Sequence, residues 1–221
     1  MSFTLACVMV RGQRKKAKYQ PIYIERLRNM VARHTDRPFR TVCLTDTPTI
    51  MPKGVEAVKV TNPLPYAGWW RKMNLFDPAM PFEGRVLYLD LDTLIVGDLD
   101  QIIDFPADFA IAPDSATTWF GKDGLRTVKA YNSSVMVWNH GARSQFHAEF
   151  DRKLMNVLWG DQDAIAHMSP KEKTFPPEWF VRLGPDSHPF DPKVKVALCI
   201  RREYKNARAN KTLPWFKDYW F

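Results

Sequence analysis

Asp90 and Asp92 lie one residue apart in RVLYLDLDTLIV, residues 85–96, a segment otherwise dominated by apolar side chains. On a strand that persists through both, the two carboxylates share a face, with Cα atoms about 6.6 Å apart, two rises of about 3.3 Å. At that spacing they repel by roughly 2.5 kcal/mol at an effective dielectric near 20. Desolvation at the edge of an apolar sheet adds to the cost. A divalent cation beside both reverses the sign: Mg²⁺ and Mn²⁺ take hard oxygen ligands, and Mg²⁺ often completes its shell with substrate phosphates. Asp90 and Asp92 are therefore candidate metal ligands. The plainer alternative is that one caps a turn and the other is solvated, a role that Asp98 and Asp100 in GDLDQIIDF also fit. DLDTL is close to the aspartyl-phosphatase pattern DxDx[TV] as well, but Leu94 stands where that pattern needs Thr or Val, and Thr93 comes one residue early.

Alternating strands and helices must deliver these side chains. Apolar runs predict strands at residues 3–10, 39–45, 55–60, 85–90, 108–112, 133–138 and 194–200. Helical periodicity predicts helices at 21–34 and in WWRKMNLFDP before Pro78, one long amphipathic helix over 142–159, and another starting at GDQDAIAHM. Prolines at 170, 176, 177, 185, 189 and 192 mark later loops. The pattern implies an α/β fold with a mostly parallel sheet flanked by helices, and ligands in such sheets bind beyond the carboxyl ends of strands.

A chain of 221 residues, 45% hydrophobic and 13% aromatic, is enough for one core and a single domain over 1–221. The formal charge of +8 and pI near 9.4 favour anionic partners. Basic clusters fall at 11–18, 171–173 and 201–211, and each alone reads as a solvated surface. No stretch approaches the roughly 20 apolar residues of a transmembrane helix. The basic RGQRKKAK follows the apolar MSFTLACVMV, the reverse of a secretory signal, so a cytoplasmic location is expected. Cys7, Cys43 and Cys199 sit in separate apolar runs, as buried free thiols do.

Four segments in order resemble the GT-A fold glycosyltransferases, especially glycosyltransferase family 8 and its small bacterial and phage relatives. They are WWRKMNLFDP, RVLYLDLDTLIVGDLDQI, YNSSVMVWNHG and WGDQDAI, spanning residues 69–165. The resemblance implies a GT-A, Rossmann-like sheet whose residues 1–100 mainly bind nucleotide and whose residues 101–221 mainly receive the acceptor. It implies transfer of a sugar from a nucleotide-diphospho-sugar, by default a UDP-sugar, to a hydroxyl with retention. The acceptor class stays open among glycan, protein, lipid and modified nucleic acid. Mn²⁺ or Mg²⁺ at Asp90 and Asp92 would act as a Lewis acid on the diphosphate, with Asp90 also near the donor ribose. Lys72 or Arg71 would pair with the donor. Val8 and Arg11 would line the nucleotide, and Asn132 and Asp161 would complete the donor site. Gln162 and Asp163 take the family's positions at the donor sugar and reaction centre. From residue chemistry alone, Asp161 reads as a helix cap, Asn132 as a turn former, Lys72 as an exposed lysine, and Lys15, Lys16 and Lys18 as a solvated loop. Trp69, Trp70 and Trp159 offer an aromatic wall for sugar, with at least two of them expected in the core.

The pattern departs from the family where its third metal ligand, a late His, is due. CIRREYKNARANKTLPWF contains none, and His188 precedes the last strand. Two aspartates, the diphosphate and water would then hold the metal, or Arg201, Arg202, Lys205 or Lys211 would replace some of its charge. Two alternatives remain, the first motivated by that gap and the basic charge, the second by its own need for paired acids, a metal and a nucleotide. One is a nucleic-acid-binding protein with an inactive glycosyltransferase-like fold, recognised by salt-sensitive affinity for DNA. The other is a nucleotidyltransferase, recognised by pyrophosphate release.

Overall fold

The computed structural model describes residues 1–10, 19–60, 68–114, 119–120, 126–127, 131–183, 191–198 and 219–220. The strands are β1 (Phe3–Met9), β2 (Phe39–Thr45), β3 (Val55–Lys59), β4 (Arg85–Leu89), β5 (Thr93–Ile95), β6 (Phe109–Pro113), β7 (Trp119–Phe120), β8 (Arg126–Thr127), β9 (Tyr131–Asn139), β10 (Lys173–Thr174), β11 (Phe180–Arg182) and β12 (Val196–Leu198). The α-helices are α1 (Pro21–Arg33), α2 (Asp100–Ile103), α3 (Gln145–Ala148), α4 (Arg152–Val157) and α5 (Asp161–Met168). Of the residues singled out by sequence, Arg11, Lys15, Lys16, Lys18, His188, Cys199, Arg201, Arg202, Lys205 and Lys211 lie outside the described residues.

A seven-stranded sheet runs in the order β10-β6-β9-β4-β1-β2-β3. β1, β2, β3 and β4 are mutually parallel where they pair, β10 is parallel to β6, and β9 alone runs antiparallel to both its neighbours. The expected mostly parallel α/β sheet is therefore present. The chain moves from β1 outward to β2 and β3, then returns to place β4 on the other side of β1. This reversal opens a crevice at the carboxyl ends of β1 and β4, the usual ligand position in such sheets.

Both faces of the sheet are covered, which is why its strands read as nearly unbroken apolar runs. Phe3, Leu5, Cys7 and Met9 of β1 join Leu87, Leu89, Val135 and Val137 on one face, with Ile24, Leu27, Met30 and Val31 of α1. Those four α1 residues lie at helical spacing behind a proline at the first turn. The alternate residues Ala6, Val86, Tyr88, Met136 and Trp138 face the opposite way, packing with Trp70, Met73, Phe76, Phe146 and Ile165. Cys7 and Cys43 are buried and free, as expected.

The helix expected before Pro78 is present as a 3₁₀ helix, Gly68–Phe76, and one helical expectation is corrected. The single helix expected over 142–159 is two short ones, because Asp151 adopts an extended backbone and restarts the helix as its N-cap. Its Oδ1 accepts from the Lys153 and Leu154 amides at 2.8 and 3.0 Å. A second, three-stranded sheet, β11-β12-β5, leans on the first. Gly97 follows it where a Cβ would stand 2.5 Å from the Val194 carbonyl oxygen, so only glycine fits.

Candidate functional site

β4 carries Asp90 to the crevice, but the strand stops at Leu89. Residues 90–93 form a turn closed by the Thr93 amide donating to the Asp90 carbonyl at 3.0 Å. Asp90 and Asp92 therefore do not stand side by side on one strand face, as strand periodicity predicted. Asp90 takes partners from the Tyr88 face of the sheet. Asp92 accepts from Tyr19 Oη at 2.7 Å, and Tyr19 packs with the α1 face. The turn gives the two carboxylates different partners.

Lys72 organises the Asp90 side. Its Nζ lies 3.0 Å from Asp90 Oδ1 and 3.3 Å from Asp161 Oδ2. It donates to Ser133 Oγ and the Ser133 carbonyl at 3.0 and 3.3 Å, and it sits 5.3 Å from the centre of the Tyr88 ring. Sequence alone read Lys72 as an exposed helix lysine, but it is only 6% exposed. Burial opposes its charge, yet Asp161 and then Asp90 outweigh that and raise its pKa. Burial likewise pushes Asp90 upward, but the Lys72 ammonium and hydrogen bonds from Tyr88, Lys72 and Ser134 hold it below the usual carboxylate range. One ammonium thus faces two carboxyl groups in the Asp90–Lys72–Asp161 cluster.

The partners that orient Asp90 were not evident as site residues from sequence. Tyr88 Oη donates to Asp90 Oδ1 at 2.6 Å, and Ser134 Oγ donates to Oδ2 at 2.8 Å. Tyr88 precedes Asp90 by two residues on an alternating strand, a visible signal. Ser133 and Ser134 interrupt an apolar strand, also visible. The register between β6 and β9 jumps from Ile111↔Met136 to Ala112↔Asn132, so residues 133–135 bulge out of the β6 ladder, and both serines reach the site. Nothing local marks Tyr19, whose partner is 73 residues away.

α5 begins at the same place. Its capping carboxylate is Asp163 rather than Asp161: Asp163 Oδ2 accepts from the Trp159 and Gly160 amides, each at 3.1 Å. Burial raises the Asp163 pKa, those amides lower it, and Asp161 raises it further, for a net rise. Asp161 is instead the first helical residue, buried, with its Oδ2 paired to the Lys72 ammonium. Gln162, between them, is half-buried. Asn132 is buried, and its Oδ1 accepts from the Ser134 amide at 2.9 Å, the local turn role expected from its type. Val8, near the end of β1, is half-buried against the Tyr88 face, and Arg71 is half-buried on the 3₁₀ helix. Of the three tryptophans, only Trp70 enters the core, stacked on Phe150 at 5.3 Å. Trp69 and Trp159 are 53% and 58% exposed, so the expectation that two would be core is corrected. Trp69 rests beside Gly160, its indole 3.8 Å from where a Cβ would stand.

The donor set fits a hard divalent cation. Asp90 Oδ1 already accepts two hydrogen-bond donors, but Oδ2 accepts one and keeps a lone pair, with the side chain 26% exposed. Asp92, whose Oδ2 accepts from Tyr19, is the second carboxylate at this turn. Among the described residues, no group of three or more His, Cys, Asp or Glu side chains converges as a metal site.

The sequence matches no family model and no curated protein. Its structure matches solved glycosyltransferases. The galactosyltransferase LgtC, solved with donor and acceptor sugar analogues, superposes with a TM-score of 0.64 over 98% of this chain and 96% of that one, at 14% identity. The fold is that of the GT-A glycosyltransferases. The glycosyltransferase GlyE of Streptococcus pneumoniae TIGR4 matches at a TM-score of 0.60 and 15% identity, over 91% of this chain. The bifunctional glycosyltransferase WbbM matches at 0.61 and 14%, over 98% of this chain. The chain spans 56% of GlyE and 51% of WbbM. No helix among the described residues is long and apolar enough to cross a membrane.

Proposed function

We propose that this protein is a divalent-cation-dependent glycosyltransferase of the family 8-like type. It moves a sugar from a nucleoside-diphospho-sugar, by default a UDP-sugar, to a hydroxyl acceptor with retention, in the cytoplasm. The observation that carries the proposal is the Asp90–Lys72–Asp161 cluster, set at the chain-reversal crevice of a glycosyltransferase fold.

Asp90 and Asp92 would hold Mn²⁺ or Mg²⁺. When bound, the cation supplies Lewis-acid neutralisation of the departing diphosphate. Lys72 keeps Asp90 ionised at neutral pH and, with Tyr88 and Ser134, fixes its rotamer. Through Asp161 it ties the start of α5 to the same centre. Val8 and Arg11 would flank the nucleotide, and Arg71 the diphosphate. Asn132 commits its Oδ1 to the Ser134 amide and so offers its NH₂ to a sugar hydroxyl. Gln162 would face the anomeric centre, with Asp163 Oδ1 orienting a hydroxyl while Oδ2 holds the helix start. The exposed Trp69 would provide an apolar wall for the acceptor beside Gly160.

Incubation with a panel of nucleoside-diphospho-sugars, with Mn²⁺ or with a chelator, tests the reading. Metal-dependent release of nucleoside diphosphate from one donor is expected, and its loss in Asp92→Asn with the melting midpoint preserved. No release from any donor contradicts glycosyl transfer. Release of pyrophosphate instead, from nucleoside triphosphates, identifies a nucleotidyltransferase.

A further inference from the structure

Tyr19 stands just before the Gln20 N-cap of α1 and donates its phenol hydrogen to Asp92 Oδ2. The Tyr19 ring meets Tyr23 edge-on, with centroids 5.3 Å apart at 71°. Tyr23 meets Trp220 the same way, at 5.7 Å and 74°. Edge-to-face geometry is the arrangement that ring quadrupoles favour, so the three rings form a ladder leading to Asp92.

The far end of the ladder is fastened. Trp220 is 6% exposed and belongs to the apolar cluster that includes Leu91, Leu94 and Ile24. The Arg26 guanidinium lies 5.8 Å from the centre of its indole. Arg33 Nη2 donates to the Tyr219 carbonyl at 2.6 Å. Residues 219–220 are thus seated on α1 by ring packing, a cation–ring contact and a charge-assisted hydrogen bond. The seat lies on the helix whose N-terminus presents Tyr19.

We infer that Tyr19 is a positioning residue for the cation site at Asp92, and that Trp220 holds Tyr19 in place through Tyr23. The inference rests on the reading of Asp90 and Asp92 as cation ligands. A carboxylate ligand works only in the rotamer that aims an oxygen at the ion, and the partner of its other oxygen sets that rotamer. Loss of such a partner typically weakens metal binding by about 10–100-fold. Asp90 has Lys72, Tyr88 and Ser134 for this purpose. Tyr19 does it for Asp92, on the opposite side of the turn. The cation site therefore depends on residues 219–220 being seated on α1, although neither residue is a ligand.

The test measures Mn²⁺ binding by the full chain from the electron paramagnetic resonance signal of free aqueous Mn²⁺, alongside melting midpoints. Asp92→Asn sets the zero of specific binding. Tyr19→Phe, which keeps the ring ladder, should weaken Mn²⁺ by about 10–100-fold with the midpoint nearly unchanged. Trp220→Ala should weaken it in the same direction, and Trp220→Phe should restore most of the affinity. A purely structural role would lower midpoints and leave the Mn²⁺ affinity of the folded protein unchanged. Equal affinity in the parent chain and Tyr19→Phe overturns the inference, even if Trp220→Ala fails to fold. A parent chain that binds no more Mn²⁺ than Asp92→Asn overturns the cation reading itself.

Discussion

Lys72→Met removes one ammonium and keeps most of the aliphatic stem, so it isolates the electrostatics of the cluster. At an effective dielectric near 20, a unit charge pair at 3.0 Å attracts by about 5.5 kcal/mol and one at 3.3 Å by about 5 kcal/mol. Desolvation of the ammonium cancels much of that sum, and measured costs for breaking buried pairs are about 3–5 kcal/mol. For a chain of 221 residues, each kcal/mol moves the melting midpoint by about 2–4 °C. A fall of about 6–20 °C near pH 7.5 is therefore expected. The pH dependence identifies the cause. In the parent chain the folded pKa of Asp90 is depressed, so its stabilising contribution is complete above the unfolded value of about 3.9 and is lost only as pH falls below that. Without Lys72, burial still pushes the same carboxyl upward and only the hydrogen bonds from Tyr88 and Ser134 oppose it. Protonation then relieves the variant in mild acid, and the gap between variant and parent should narrow from pH 7.5 to pH 5. Melts of both proteins across that range decide it. A drop under about 2 °C, or a gap independent of pH, refutes the view of Lys72 as the counter-charge of two buried carboxylates.

Other substitutions probe the surrounding structure. Asp163→Ala removes the acceptor for the Trp159 and Gly160 amides and should cost about 0.5–2 kcal/mol in urea unfolding. Gly97→Ala forces a methyl toward the Val194 carbonyl, 2.5 Å from the Cβ position, and should lower stability by about 1–3 kcal/mol in the same assay. Trp69→Ala should raise the KM for the acceptor several-fold while leaving nucleotide affinity unchanged, because Trp69 is exposed whereas Lys72 of the Asp90 cluster is buried.

The α/β architecture was legible because its cause is repeated in every central strand. β1, β4 and β9 are apolar on both faces, and that pattern requires cover on both sides. The positions of Asp90, Asn132, Asp161 and Asp163 were also legible, since each stands at the end or start of an element. Their partners were less so. The Asp90–Thr93 turn arises from a hydrogen bond that apolar periodicity does not encode, and it sends the two aspartates to different partners. Asp151 broke a helix that periodicity alone would have continued. Lys72 reads as a surface residue until β9 and α5 close over it. Tyr19 and Trp220 act across long stretches of sequence, where no local signal exists.

The most direct measurement is the affinity of nucleoside diphosphates by titration calorimetry, with and without Mn²⁺, in the parent chain and in Asp92→Asn. If Asp90 and Asp92 hold a cation that carries the diphosphate, Mn²⁺ tightens binding of one nucleotide at least about tenfold in the parent chain, a gain of about 1.4 kcal/mol. That gain should vanish in Asp92→Asn. Equal affinity with and without Mn²⁺, or a gain that survives the substitution, contradicts the assignment.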